Sequence, residues 1–204
     1  MNFLLSFPRS GNSLVRFFVE KVSGQKTYDC GGEDSVSILD LYSTSEKSSG
    51  SVIMRKAHFW REINLFSDPN KRVVLLIRDY KGCIISNIKR GGGEIPHSLS
   101  IYLELIQKFD EFSGPKMVSY YEDFVKDPKG LLPIAEFLNL DKDKIQEYLD
   151  SSEELSKESL SKYSAINGNL TADGSKHDLT ENQLKEFEVV KSFPLYEKYL
   201  KRYG

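Results

Sequence analysis

The run Val73-Val74-Leu75-Leu76-Ile77 constrains the fold more than any other stretch of this sequence. It is short, wholly apolar and rich in β-branched residues, which suit a pleated strand better than a helix. It does not alternate with polar residues, so both faces of the strand need cover, as in a parallel sheet flanked by helices. The run Phe3-Leu4-Leu5 has the same character and leads into Ser6-Phe7-Pro8-Arg9-Ser10-Gly11-Asn12-Ser13. Leu14, Val15, Phe18, Val19 and Val22 follow at the spacing of a helix with one apolar face. Strand, tight loop and helix start together make an anion site. The first helical N–H groups have no internal partner, and the helix dipole is positive there. Arg9 adds a full charge, and Ser10, Asn12 and Ser13 add short polar groups. On this stretch alone, an ordinary strand–helix turn with an exposed arginine is the alternative.

Further along, Val52–Arg55 reads as a strand leading to Lys56-Ala57-His58-Phe59-Trp60, with a short helix over Trp60–Phe66 stopped by Asp68-Pro69. Arg78-Asp79 closes the strand at 73–77, and Lys81–Lys89 is helical. Gly91-Gly92-Gly93 is a break with high backbone freedom, either a hinge or a plain linker. Leu99, Tyr102, Ile106 and Phe109 mark a core-facing helix, and Lys116–Tyr120 a further strand before Tyr121-Glu122-Asp123-Phe124. A helix is expected from about Gly130 with Pro133 in its first turn, and another from Asp141 through Ile145, Tyr148 and Leu149. Residues 23–51 lose periodicity and read as loop with one short helix at Val36–Tyr42; residues 151–178 read as a flexible segment. Thr180 and Gln183 form a capping box for a last helix through Phe187 and Val190. Strands alternating with helices define an α/β domain with a mainly parallel sheet, whose ligands sit at the carboxyl ends of the strands. Arg9, Lys56, His58, Arg78 and Tyr121 all fall just past such ends.

A chain of 204 residues with 39% hydrophobic content is expected to form one domain with a substantial core. Its formal charge of -2 argues against nucleic acid or acidic membranes as partners. No apolar run approaches the ~20 residues of a membrane span. The apolar run before Arg9 is too short for a signal peptide, so a cytoplasmic location is expected. Cys30 and Cys83 lack metal-ligand spacing, no disulfide between them is expected, and Cys83, among Ile84, Ile85 and Ile88, reads as a small core residue. The first loop lacks the second glycine and the Gly-Lys-[Ser/Thr] ending of a Walker A motif, so metal-dependent ATP chemistry is disfavoured and no metal is expected.

Ser6-Phe7-Pro8-Arg9-Ser10-Gly11-Asn12-Ser13 resembles the 5′-phosphosulfate loop of sulfotransferases that use PAPS (3′-phosphoadenosine 5′-phosphosulfate). Three further segments agree in the family's order. Lys56-Ala57-His58 is similar to its Lys-Thr-His catalytic segment. Ile77-Arg78-Asp79, with Ser86 eight residues after the arginine, is similar to its 3′-phosphate element. Tyr120-Tyr121-Glu122-Asp123-Phe124, followed by Lys126-Asp127-Pro128-Lys129, resembles its Tyr-Glu-Asp segment. Leu14 stands where the family often has Trp, and the family's glycine-rich 3′-phosphate loop has only Asn167-Gly168 and Gly174-Ser175-Lys176 as loose counterparts.

The resemblance implies a single P-loop-like α/β domain over residues 1–204, with 151–178 near the cofactor. Arg9 and the amides of Ser10, Gly11, Asn12 and Ser13 are expected to hold the 5′-phosphate, Arg78 and Ser86 the 3′-phosphate, and Tyr121 the adenine, with Lys176 also in reach of phosphate. Lys56 and Arg9 are expected to stabilise the departing oxygen, and His58 to take the proton from a hydroxyl or amine of a small-molecule or carbohydrate acceptor, releasing PAP. For several residues a second reading stands beside this one. Arg78 pairs with Asp79 or another acid, Tyr121 is a buried sheet-end tyrosine, and Trp60 and Phe59 are core rather than acceptor pocket. Glu122 and Asp123 read as caps of the following helix rather than general acids, and His97, in a loop after Pro96, and His177 as surface residues. A P-loop-like kinase needing Mg²⁺ and a non-catalytic nucleotide-binding module are the competing functional classes.

Overall fold

The computed structural model describes residues 1–29, 38, 49–151 and 179–204. Among these, strands β1 (Asn2–Ser6), β2 (Gln25–Asp29), β3 (Ser49–Ala57), β4 (Arg72–Ile77) and β5 (Lys116–Tyr120) form one sheet in the order β2-β3-β1-β4-β5. Every neighbouring pair is parallel. The helices are α1 (Asn12–Ser23), α2 (Tyr80–Ile88), α3 (Ile95–Glu111), α4 (Tyr121–Lys126), α5 (Leu132–Leu138), α6 (Lys142–Asp150), α7 (Glu181–Phe187) and α8 (Tyr196–Tyr199), among the described residues.

The unbroken apolar run of β4 is explained by two cores, one on each face. Val73, Leu75 and Ile77, with Phe3 and Leu5 of β1, pack against α2, α3 and α7. Val74 and Leu76, with Leu4, pack against α1, α5 and α6. Successive side chains of a strand point to opposite faces, so a run without polar residues fits only where both faces are dry. Local signals set the helix ends. Gly11 and Gly24, at φ 90° and 67°, bound α1. Asp79 caps α2 through the Lys81 N–H, Pro96 lies in the first turn of α3, and Asp141 caps α6. The capping box of Thr180 and Gln183 opens α7.

Several sequence expectations need correction. The stretch after Ser23 is not all loop, because Gln25–Asp29 forms edge strand β2 against β3. Its polar sequence hides a buried core position: Thr27 is fully buried because Arg16 Nε donates to its Oγ1 (2.8 Å) and Glu20 Oε1 accepts from its N–H (2.8 Å). No α-helix forms over Trp60–Phe66. The Glu62 carboxylate instead accepts from the N–H groups of His58 and Phe59, and Asn64 takes φ 46° before a short 3-10 turn, Leu65–Ser67. His97 lies in the first turn of α3 rather than in a loop, and is exposed. The helix at 181–187 is not the last, since a 3-10 turn (Glu188–Ser192), α8 and the turn Lys201–Tyr203 follow. The three glycines at 91–93 close a tight turn, in which the Gly92 N–H donates to the Asn87 carbonyl (3.0 Å). The helix expected at 36–42, Cys30 and the segment 152–178 with Lys176 and His177 lie outside the described residues, Ile38 apart.

Candidate active site

Parallel register brings the carboxyl ends of the strands to one rim. Leu5 pairs with Ala57, Ser6 with Leu76, Asp29 with Lys56, and Ile77 with Tyr120. The order of the strands also reverses across β1, because the chain visits β2 and β3 on one side before crossing to β4 and β5. In open α/β sheets such a reversal opens a crevice at the strand ends. Five sequence-predicted residues, Arg9, Lys56, His58, Arg78 and Tyr121, sit at or just past this rim.

The loop after β1 turns sharply. Arg9 and Gly11 both have positive φ, 68° and 90°, and the Ser10 N–H donates to the Phe7 carbonyl (3.3 Å). Helix α1 begins at Asn12 with no side-chain cap, and no acceptor among the described residues meets the N–H groups of Asn12 and Ser13. Asn12 Nδ2 donates to Ser6 Oγ (3.3 Å). Ser10 is buried, and its hydroxyl has no hydrogen-bond partner among the described residues, although the Cys83 thiol lies nearby. An uncapped helix start beside an orphaned buried hydroxyl is a donor-rich site suited to an anion.

Arg78 converges on the same loop. Its Nη1 donates to the Arg9 carbonyl (2.8 Å), and its Cζ stands 4.5 Å from the centre of the Tyr121 ring. The Tyr102 hydroxyl in turn donates to the Arg78 carbonyl (2.8 Å). Arg78 makes no ion pair among the described residues, so the pairing with Asp79 does not occur. Arg9 Nε donates to Ser86 Oγ (3.3 Å), which joins the loop to α2. The Cδ2–Cε2 edge of the Tyr121 ring abuts Gly11: a Cβ there would stand 2.3 Å from Cδ2 and 2.5 Å from Cε2. The expected 5′- and 3′-phosphate elements therefore abut, with Arg9, Arg78, Ser86 and Tyr121 forming one cluster.

On the other side of β1, Lys56 is buried at the end of β3 and its Nζ pairs with Asp29 at the end of β2. His58 Nδ1 lies 2.8 Å from the Ser6 carbonyl. A carbonyl only accepts, so Nδ1 carries the proton and Nε2 keeps its lone pair, the tautomer a general base needs. Burial, and then the nearby Lys56 charge, hold the His58 pKa below its ordinary value. A hollow of about 210 Å³ adjoins His58, walled by Phe59, Trp60, Ile101 and Leu105, with Glu62 and Glu104 at its edge. Trp60 Nε1 donates to Glu104 (3.0 Å), which orients the indole. A larger hollow of about 930 Å³ between the end of α1 and α6 touches none of the predicted site residues.

Sequence reasoning missed several partners. Glu122 and Asp123 do not cap the following helix. Glu122 accepts the Asp79 N–H (2.9 Å) and the Tyr203 hydroxyl, while Asp123 pairs with Arg202, and Asp127 caps the 3-10 turn Pro128–Leu131 instead. Asp29 was hidden in what read as loop, and its pairing with Lys56 depends on β2 joining the sheet. The Ser6 carbonyl is a backbone group that no residue type announces.

No protein-family model and no curated protein matches this sequence. Solved structures do share the architecture, and it is the fold of the PAPS-dependent sulfotransferases. The chain is similar to mouse sulfotransferase SULT7A1, crystallised with PAP, at 17% identity and a TM-score of 0.57, covering 100% of this chain and 88% of that one. It is also similar to the sulfotransferase domain of the Synechococcus PCC 7002 olefin synthase, at 18% identity and a TM-score of 0.51, over 91% of this chain and 82% of that one.

Proposed function

We propose that this chain, as one sulfotransferase-like domain over residues 1–204, transfers the sulfuryl group of PAPS to a hydroxyl or amine of a small-molecule or carbohydrate acceptor. One observation carries the reading. His58, with Nδ1 tied to the Ser6 carbonyl and Nε2 left basic, stands one strand away from a cluster of two guanidinium groups at an uncapped helix start. The orphaned Ser10 hydroxyl and the absence of an acid partner for Arg78 among the described residues fit a phosphate-bearing ligand. The reading also takes up the PAP that SULT7A1 was crystallised with.

PAPS supplies an activated sulfuryl group; the rest is positioning and charge. Arg9 and the amides at the start of α1 hold the 5′-phosphate, Arg78 and Ser86 the 3′-phosphate, and the Tyr121 ring flanks the adenine. The acceptor enters by the hollow lined by Phe59 and Trp60, beside His58. Its oxygen or nitrogen forms a bond to sulfur while the bond from sulfur to the bridging oxygen breaks. His58 Nε2 receives the acceptor proton, a contribution of about 10²–10⁴-fold. Lys56 leaves Asp29 to meet the negative charge growing on the bridging oxygen, with Arg9.

The test is a melting-temperature series with PAP, with ATP and Mg²⁺, and without ligand. A ligand that binds only the folded state raises the midpoint. Stabilisation by PAP alone supports the reading; stabilisation by ATP and Mg²⁺ alone overturns it in favour of a kinase.

A further inference from the structure

The stretch Lys201–Gly204 folds back onto the two turns that carry Arg78 and Tyr121, far from it in sequence. Tyr203 Oη donates to Glu122 Oε2 (2.5 Å), and the other oxygen of that carboxylate accepts the Asp79 N–H (2.9 Å). Arg202 grips Asp123 with both terminal nitrogens, at 3.1 and 2.5 Å, and its Cζ stands 4.4 Å from the centre of the Tyr120 ring. Lys81 Nζ donates back to the Tyr203 carbonyl (3.3 Å), which closes the circuit onto α2. Burial and the Glu122 charge push the Tyr203 phenol far above its ordinary range, so it stays a donor.

These bonds carry the coupling of β4 and β5 past the end of their ladder, into the two turns. Asp79 follows β4, and Glu122 follows β5; the two strands are neighbours, with Ile77 opposite Tyr120. Arg78 and Tyr121 flank this bridge by one residue each, and their stacking distance of 4.5 Å is set by how the two turns sit relative to each other. A fork of a guanidinium on a carboxylate and a phenol on its neighbour hold that offset with directional bonds. We infer that Arg202 and Tyr203 are positioning residues for the donor: through Asp123, Glu122 and the Asp79 N–H they set the placement of Arg78 against Tyr121, and thereby the affinity for the 3′-phosphoadenosine moiety. The inference rests on Arg78 and Tyr121 being donor-binding residues.

Calorimetric titration of PAP into the full chain, with steady-state kinetics on PAPS, tests it. Tyr203→Phe keeps the ring and removes one hydrogen bond to a charged group, so the Kd for PAP rises about tenfold. The KM for PAPS rises in parallel while kcat stays within about twofold, a split that general loosening of the fold does not produce. Arg202→Asp weakens PAP binding likewise, and the exchange Arg202→Asp with Asp123→Arg restores it. An unchanged Kd in both single variants, or a loss of kcat at constant KM, overturns the inference and leaves the donor-site reading standing. Wild-type protein that binds no PAP overturns both.

Discussion

Gly11→Ala tests the contact on which the donor cluster is built. Gly11 has φ 90°, and a Cβ there would meet the Tyr121 ring at 2.3 and 2.5 Å. The left-handed backbone costs an L-residue about 1–2 kcal/mol. Inserting a methyl into a filled space costs about 1–3 kcal/mol more. The two terms together predict a loss of about 2–5 kcal/mol, or roughly 4–20 °C in melting temperature for a chain of this length. Gly24 is the control: it has φ 67° and nothing within 4 Å of an added Cβ, so Gly24→Ala carries the backbone term alone. Chemical denaturation of both variants isolates the crowding term by subtraction. A double-mutant cycle with Tyr121→Ala should recover about 1–3 kcal/mol as coupling energy. Equal losses in Gly11→Ala and Gly24→Ala, with no coupling to Tyr121, would show that the ring does not rest on this loop.

Arg78→Ala should abolish the stabilisation by PAP in a thermal-shift assay and lower the unliganded midpoint by only a few degrees, since it removes one hydrogen bond to the Arg9 carbonyl and the stacking on Tyr121. His58→Ala should leave PAP stabilisation intact and lower turnover by about 10²–10⁴-fold; normal turnover would refute its role as base. The His58 pKa is held below 6.5 by burial and then by Lys56. The acid limb of kcat/KM should therefore fall below pH 6.5, and Lys56→Met should raise the His58 titration seen by NMR. A depressed folded value means the unfolded chain binds more protons in that window, so the stability this group contributes is complete above pH 6.5 and is lost as pH falls through the folded pKa. Urea midpoints across pH 5 to 7 should fall on the acid side and flatten in a His58→Gln variant.

Much of the site was legible because it is local. The loop 6–13, the Lys56-Ala57-His58 step and the Arg78-Asp79 turn are each a strand end running into a turn or helix, and apolar patterning finds strand ends. Elements set by one strong signal, such as Asp141 and Thr180 as caps, were legible for the same reason. β2 was not, because its one fully buried residue is a threonine satisfied by Arg16 and Glu20 on α1. The Trp60–Phe66 stretch has helical spacing, and Glu62 reaches back to two N–H groups ahead of it, but Asn64 turns left-handed at φ 46° and breaks the run after a few residues.

The amino-acid order by itself determined which strands are dry on both faces, and therefore a parallel sheet with its chemistry along one rim. It also determined which residues stand at that rim. Only the tertiary structure decided how they face one another: the strand order that puts His58 against the Ser6 carbonyl, the register that pairs Lys56 with Asp29, and the return of Tyr203 to Glu122. The reason is physical. Burial patterns repeat every two or three to four residues and are written along the chain, whereas hydrogen bonds between residues 27 to 81 positions apart depend on the packing of the whole sheet and leave no periodic mark.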